Sequence, residues 1–185
     1  MKILGKCVAL RAMEIEDCVL IINMFNDPEI ENLVGGWAFP VSLFAEKKWL
    51  ELHYNDQNEV RFVIDTKDDG AIGVLALTDI DWKNRRATIG VKLASKVNRS
   101  KGYGTDAVMA IMRYVFDELG LHRLDASRLA MNQASESVLV KCGFVEEGVK
   151  REYIYKGGRY IDLVEASILA NEYYELINTN HYWEN

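Results

Sequence analysis

The segment Val97-Asn98-Arg99-Ser100-Lys101-Gly102-Tyr103-Gly104-Thr105 carries the densest chemical signal in the chain. Gly102 and Gly104, two apart, let the backbone turn tightly and come close to a ligand. Ala107, Val108, Ile111, Met112, Val115, Phe116 and Leu119 follow at three- and four-residue steps, so a helix begins at this loop and Gly120 closes it. The first amides of a helix have no intrahelical acceptor, and the helix dipole favours an anion beside them. Arg99 and Lys101 add positive charge in a chain whose formal net charge is −6. Glycine, basic charge and a helix start together make a phosphate cradle.

Two phosphate ligands compete for that cradle. Gly102-Tyr103-Gly104-Thr105-Asp106-Ala107 satisfies the dinucleotide pattern G-x-G-x-x-A, and Asp125 follows about twenty residues on. That reading makes the chain a nicotinamide-dependent oxidoreductase. Against it, the polar run Ser95 to Lys101 separates the preceding strand from the first glycine. The unit also follows an antiparallel meander and offers one parallel crossover rather than a doubly wound set. A P-loop is excluded, because no Gly-Lys-Ser/Thr stands at the required spacing.

The elements that position the loop can be read along the chain. Val8 to Arg11 is a short strand. Glu14 to Met24 carries Ile15, Val19, Ile22 and Phe25 at helical spacing, and Asp27-Pro28 ends it. Residues 32 to 42, with Gly35, Gly36 and Pro40, are a loop. Leu43 to His53 is a second helix whose apolar residues, including Phe44, Trp49 and Leu52, suit one buried face. Arg61–Asp65, Ala71–Asp81 and Ala87–Ala94 are strands joined by short turns. After the glycine-loop helix come a strand over Leu124–Leu129, a short helix over Ser135–Cys142, and strands over Phe144–Tyr155 and Tyr160–Leu169. The class is therefore α+β: a mixed, mostly antiparallel sheet of about seven strands with about four helices on its two faces.

Composition bounds the rest. A chain of 185 residues, 49% hydrophobic and 27% charged, suits one domain with a real core. We expect that domain over 1–172, with 173–185 a loosely packed tail rich in Tyr, Asn and Glu. With 28 acidic against 22 basic side chains, nucleic-acid binding is not expected. Cys7, Cys18 and Cys142 are odd in number and far apart, and the three histidines are scattered, so no disulfide frame and no metal site is expected. No leader segment and no membrane span is expected either, and the cytoplasm is the default location.

Arg99-x-x-Gly102-x-Gly104 resembles the Q/R-x-x-G-x-G/A acyl-coenzyme A signature of the GNAT superfamily of N-acetyltransferases. The resemblance runs over most of the chain. Leu10-Arg11 with Asp17, and Asn26-Asp27-Pro28-Glu29-Ile30, look like the start of the branch related to ribosomal-protein N-terminal acetyltransferases. Ile72-Gly73 and Arg86-Ala87-Thr88-Ile89-Gly90 look like its third and fourth strands. Asn132-Gln133-Ala134-Ser135, Lys141-Cys142-Gly143-Phe144 with Glu147-Gly148, and Gly158-Arg159-Tyr160-Ile161-Asp162 resemble its later segments.

The resemblance implies transfer of an acetyl group from acetyl-CoA directly to an amine. It implies a sheet splayed between the family's fourth and fifth strands, here 87 to 94 and 124 to 129. The pantetheine arm would lie along backbone near Val91 and Leu93, and the diphosphate on Arg99, Ser100, Lys101, Gly102, Tyr103, Gly104 and Thr105. Asn132 would touch the cofactor arm. Relatives often carry a tyrosine where this chain has Leu139 and a glutamate where it has Thr88. Ser135 is then a candidate proton donor to sulfur, or else an N-cap for its helix. A coenzyme-binding module with weak turnover stays open as an alternative.

The acceptor's own pKa matters for such a transfer. An alkyl amine with a pKa of about 10.4 is handicapped by roughly 4.6 kcal/mol at pH 7, an α-amine near 8 by only about 1.4 kcal/mol. No unambiguous base stands in the chain. Asp79 and Asp81, at the end of the third family strand, could relay a proton through water. The expected partner is a small-molecule or peptide amine (a protein N-terminal α-amine, an amino sugar or a polyamine), with a homodimer as a further option. Residues 24 to 42 and the 155 to 160 turn should form its pocket, with Trp37, Phe39, Tyr153 and Tyr155 as candidate lining.

Overall fold

The architecture comes from a computed structural model that describes residues 1–36, 39–94 and 100–184. Eight strands form one sheet: β1 (Lys2–Leu4), β2 (Val8–Ala12), β3 (Val60–Thr66), β4 (Gly70–Asp81), β5 (Arg86–Leu93), β6 (Arg123–Leu129), β7 (Val145–Lys156) and β8 (Arg159–Leu169). Their spatial order is β1-β2-β3-β4-β5-β6-β8-β7. Each neighbouring pair is antiparallel except β5 and β6, which run parallel. The helices are α1 (Cys18–Phe25), α2 (Pro28–Glu31), α3 (Leu43–His53), α4 (Tyr103–Arg113), α5 (Gln133–Lys141) and α6 (Ala170–Asn180). Helix α4, prolonged by a π turn over Tyr114–Glu118, belongs to the crossover that makes β5 and β6 parallel.

The expected class and meander hold, with one strand and two helices more than expected. Strand β1 has three residues, too few for an alternation to show, and pairs Lys2 to Leu4 with Arg11 to Ala9. Asp27-Pro28 does not only end α1. The Asp27 carboxylate accepts from the Glu29 amide at 2.8 Å and Pro28 takes the first position of α2, the place where proline's missing N–H costs nothing.

Helix α1 buries Cys18, Ile21 and Met24, whereas Ile15 and Val19 of the expected face are exposed. Helix α3 departs further. Phe44 and Leu52 are exposed, and its buried residue is Glu46. The segment expected to pack loosely does not: Tyr173 on α6 is fully buried, and its hydroxyl accepts from Trp183 Nε1 at 3.0 Å.

The main core lies between the sheet and α4. Ala107 to Met112 are buried without a break, against Leu10, Leu75, Ile89 and Leu124. Asp106, next to them, is also buried. Its carboxylate accepts from the backbone of Lys6, Cys7 and Val8 at 2.8–3.0 Å and from the Tyr182 hydroxyl at 2.9 Å. Burial alone would raise that carboxyl; the backbone donors of Lys6 and Cys7 hold it below its ordinary value instead. One side chain thus ties the start of α4 to the β1–β2 turn and to the C-terminal segment.

Candidate active site

Helix α4 starts at Gly102, whose φ of +84° is the left-handed conformation that a side chain resists. Among the described residues nothing lies within 4 Å of where a Cβ on Gly102 would stand. The first intrahelical bond runs from the Asp106 amide to the Gly102 carbonyl at 2.9 Å. The amides of Tyr103, Gly104 and Thr105 precede it, and among the described residues no side chain caps them. Ser100, also at positive φ, leads into this turn, and Lys101 meets Asp69 at 3.6 Å. The positive-φ turn and the uncapped helix-start amides thus lie over Ser100 to Thr105. Arg99 and Trp37 lie outside the described residues.

The splay expected of the sheet is present. Parallel pairing covers only Arg86–Ile89 with Arg123–Ala126. Beyond it, Gly90 to Leu93 stay paired to β4, and Ser127 to Leu129 to β8, so the two strands part with their inner backbone edges unpaired against each other. This opening is filled by two cavities. The larger, about 460 Å³, is bordered by Phe25, Arg61, Gly90 and Arg128. The smaller, about 110 Å³, is bordered by Leu93, Gly104, Ser135 and Val138. They share Leu33, Val34, Val91, Lys92 and Asn132 as a common wall. The smaller one leads directly from the splay to the start of α4.

The candidate residues sort cleanly. Val91, Leu93, Gly104, Asn132 and Ser135 all border the cavities. Asn132, not Ser135, caps α5: its side-chain oxygen accepts from the Ser135 amide at 3.0 Å. Its side-chain nitrogen donates to the Leu33 carbonyl at 2.7 Å, pinning the 32–36 segment over the cavities. Ser135 borders the smaller cavity, and its hydroxyl makes no hydrogen bond to a described residue.

Asp79 sits at φ +51° in the irregularity between Thr78 and Asp81, exposed and outside the cavity lining, while Thr78 borders the larger cavity. Asp81 serves its turn instead: bonds from Asn84, then the nearby Arg86, hold its carboxyl below its ordinary value. Phe39, Tyr153 and Tyr155 are exposed, and Ile154, between the two tyrosines, is the residue that reaches the cavity wall. Leu139 belongs to the core. Arg11 and Asp17 form a bidentate pair at 2.7 and 2.8 Å, which locks the entry of α1 onto β2.

Sequence reasoning missed the polar wall of the larger cavity. Arg61 stacks over Trp49 with 3.4 Å between guanidinium carbon and ring centroid, and Trp49 stacks on His53 at 4.4 Å. Phe25 lies 5.7 Å from Arg61 on one side and 4.6 Å from the Lys92 ammonium on the other. Lys92 was legible as an oddity, a lysine between Val91 and Leu93 in an apolar strand. Burial pushes its ammonium below the usual lysine range; Glu31 opposes this, and Arg61 and Lys156 add to it.

This geometry fits an acyl-coenzyme A: amides for a diphosphate, then a narrow channel along unpaired strand backbone, then a wider chamber. Known proteins resemble the chain in sequence and fold. The family model described as "Acetyltransferase (GNAT) domain" matches residues 8–145. The SPbeta prophage-derived uncharacterized N-acetyltransferase YokL of Bacillus subtilis is 30% identical over 91% of this chain and 93% of its own. The spermidine N(1)-acetyltransferase of Vibrio cholerae is 30% identical over 90% of this chain and 95% of its own. A crystal structure of spermidine N-acetyltransferase from Vibrio cholerae, in complex with CoA and spermine, superposes with a TM-score of 0.85 at 26% identity, covering 92% of this chain and 99% of that one. With the splayed sheet, the helix-start cradle and a family match over three quarters of its length, the chain belongs to the GNAT acetyltransferase family and is an acetyl-CoA-dependent N-acetyltransferase.

Proposed function

We propose that the acetyl group passes directly to a primary amine while both substrates are bound, the thioester arm in the smaller cavity and the amine in the larger. The observation that carries this is the shared wall. Val91, Lys92 and Asn132 border both cavities, so a ligand in each would lie against the same residues. Acetyl-CoA supplies the activated acetyl group.

The chain's residues supply the rest. The amides of Tyr103, Gly104 and Thr105, with Ser100 and Lys101 beside them, bind the diphosphate, and Arg99, next before Ser100 in the sequence, adds positive charge. The unpaired edge of β5 around Val91 and Leu93 aligns the arm, with Asn132 across from it. Ser135 donates a proton toward the departing sulfur, and a thiol pKa of about 8.5 leaves that step modest in demand. The reacting amine must arrive neutral. Since no carboxylate other than Glu59 borders the larger cavity among the described residues, and Glu59 is held by Arg61 at 3.3 Å, an α-amine or another amine of lowered pKa fits better than an alkyl amine.

Thioester cleavage by the purified protein, with acetyl-CoA and a panel of amines, tests the reading. Amine-dependent release of coenzyme A is expected. Tight coenzyme A binding with no release on any amine makes the protein a binding module instead.

A further inference from the structure

The transfer reading leaves the acceptor's other chemistry open, and the charges around the larger cavity bear on it. Glu59 lies 3.3 Å from Arg61, and the buried Glu46 lies 3.1 Å from the same guanidinium. Glu31, below the 32–36 segment, meets Lys156 at 3.7 Å. Arg128 holds Glu146 at 2.6 Å and Glu136 at 3.2 Å. Each carboxylate around the chamber is thus already matched to a cation of the chain.

Lys92 is the exception. Among the described residues no carboxylate lies within 4.0 Å of its ammonium, which stands 4.6 Å from the centre of the Phe25 ring. It is partly buried, and it borders both cavities. Glu31, the carboxylate that favours its charged form, is shared with Lys156, and an ammonium drawn out of water without a counter-ion of its own is costly. A polycationic amine entering this chamber finds no unmatched carboxylate and adds like charge beside Lys92. An acid entering it supplies the missing partner.

We infer that the acceptor is a small amine that also carries an anionic group, a carboxylate or a phosphate, and that Lys92 binds that group against the ring of Phe25. This inference rests on the transfer reading and names the substrate class for the same chamber. Because Lys92 stands at the shared wall, where the amine must also react, anion and amine are separated by only a few bonds. Lys92 is then a specificity-determining residue. An ammonium–anion contact of this kind is worth about 10- to 100-fold in affinity.

Matched acceptor pairs read this out. The pairs are α-amino acids against their amides, and aminoethyl phosphate against ethanolamine, with spermidine as a polycationic arm. The anionic member of at least one pair is expected to have the higher kcat/KM by about tenfold or more, and the two pairs tell carboxylate from phosphate. Lys92→Met is expected to collapse that preference by about 10- to 100-fold, through KM, and Lys92→Arg to keep most of it. Coenzyme A affinity, measured by calorimetry, reports whether each variant is folded and loaded. Faster turnover of spermidine than of every anionic amine overturns the inference alone. So does a Lys92→Met defect equal for acid and amide, or one confined to coenzyme A binding. Coenzyme A binding with no turnover of any amine overturns the transfer reading, and the inference with it.

Discussion

On the sheet face covered by α4, six consecutive residues, Ala107 to Met112, are buried and the buried carboxylate beside them, Asp106, has four hydrogen-bonding partners. On the opposite face the buried cluster is small: Ile21, Met24, Ile30 and Val74. There α3 is held by Glu46 against Arg61 and by the stack of Arg61 on Trp49. In the proposed transfer the first face would carry the cradle for the cosubstrate, on a closely packed base. The second would carry the acceptor chamber, bordered by charged and aromatic groups whose replacement should change what is recognised more than how the chain folds. Packing density sets the cost of change on one face; charge matching sets it on the other.

Several substitutions would break or sharpen that contrast. The largest effect is expected at Asp106→Ala, which removes the acceptor of three backbone amides, that of Val8 buried, and should destabilise the fold by about 3 kcal/mol in denaturant unfolding. The same group gives a pH signature. Its carboxyl is held below the usual range, so the unfolded chain takes up the proton first as pH falls. Its contribution is full above about pH 4 and is lost below, and the variant should show a flatter acid limb. A wild-type acid limb in the variant would mean that Asp106 is not the tie we describe.

Gly102→Asp should weaken coenzyme A binding by about 100-fold or more, about 2.7 kcal/mol, because a carboxylate would occupy the open space where a diphosphate is held. Gly102→Ala should cost only about 1 kcal/mol, the penalty for positive φ. Equal affinities in the two variants would separate the cradle from the glycine. Ser135→Ala should lower kcat by about 10- to 100-fold with Tm unchanged, since Asn132 rather than Ser135 caps α5. A fall in Tm with kcat per folded molecule intact would return Ser135 to a structural role. Tyr182→Phe removes one bond to Asp106 and should cost about 1 kcal/mol, which calorimetry can resolve.

The cradle was readable because it is local. Gly102, Gly104 and the apolar steps of α4 lie within one short stretch, and their effect on backbone and amides does not depend on what folds around them. The parallel crossover and the terminal hairpin were readable for the same reason. The buried face of α1 was not, because Ile15, Val19 and Ile22 keep helical spacing as well as Cys18, Ile21 and Met24 do, and periodicity cannot say which stripe meets the sheet. Helix α3 misled for a related reason: its apolar residues suggested a core face, while a buried ion pair decided its seat.

What the sequence determined alone was the glycine turn, the helix behind it and the order of elements, since these follow from torsional freedom, periodicity and unpaired helix-end amides within a few residues. Tertiary structure decided which charges face each other. Lys92, Phe25 and Arg61 come from three elements, and only folding brings them to one wall, where distance and shielding from water fix which cation keeps a partner and which is left to find one.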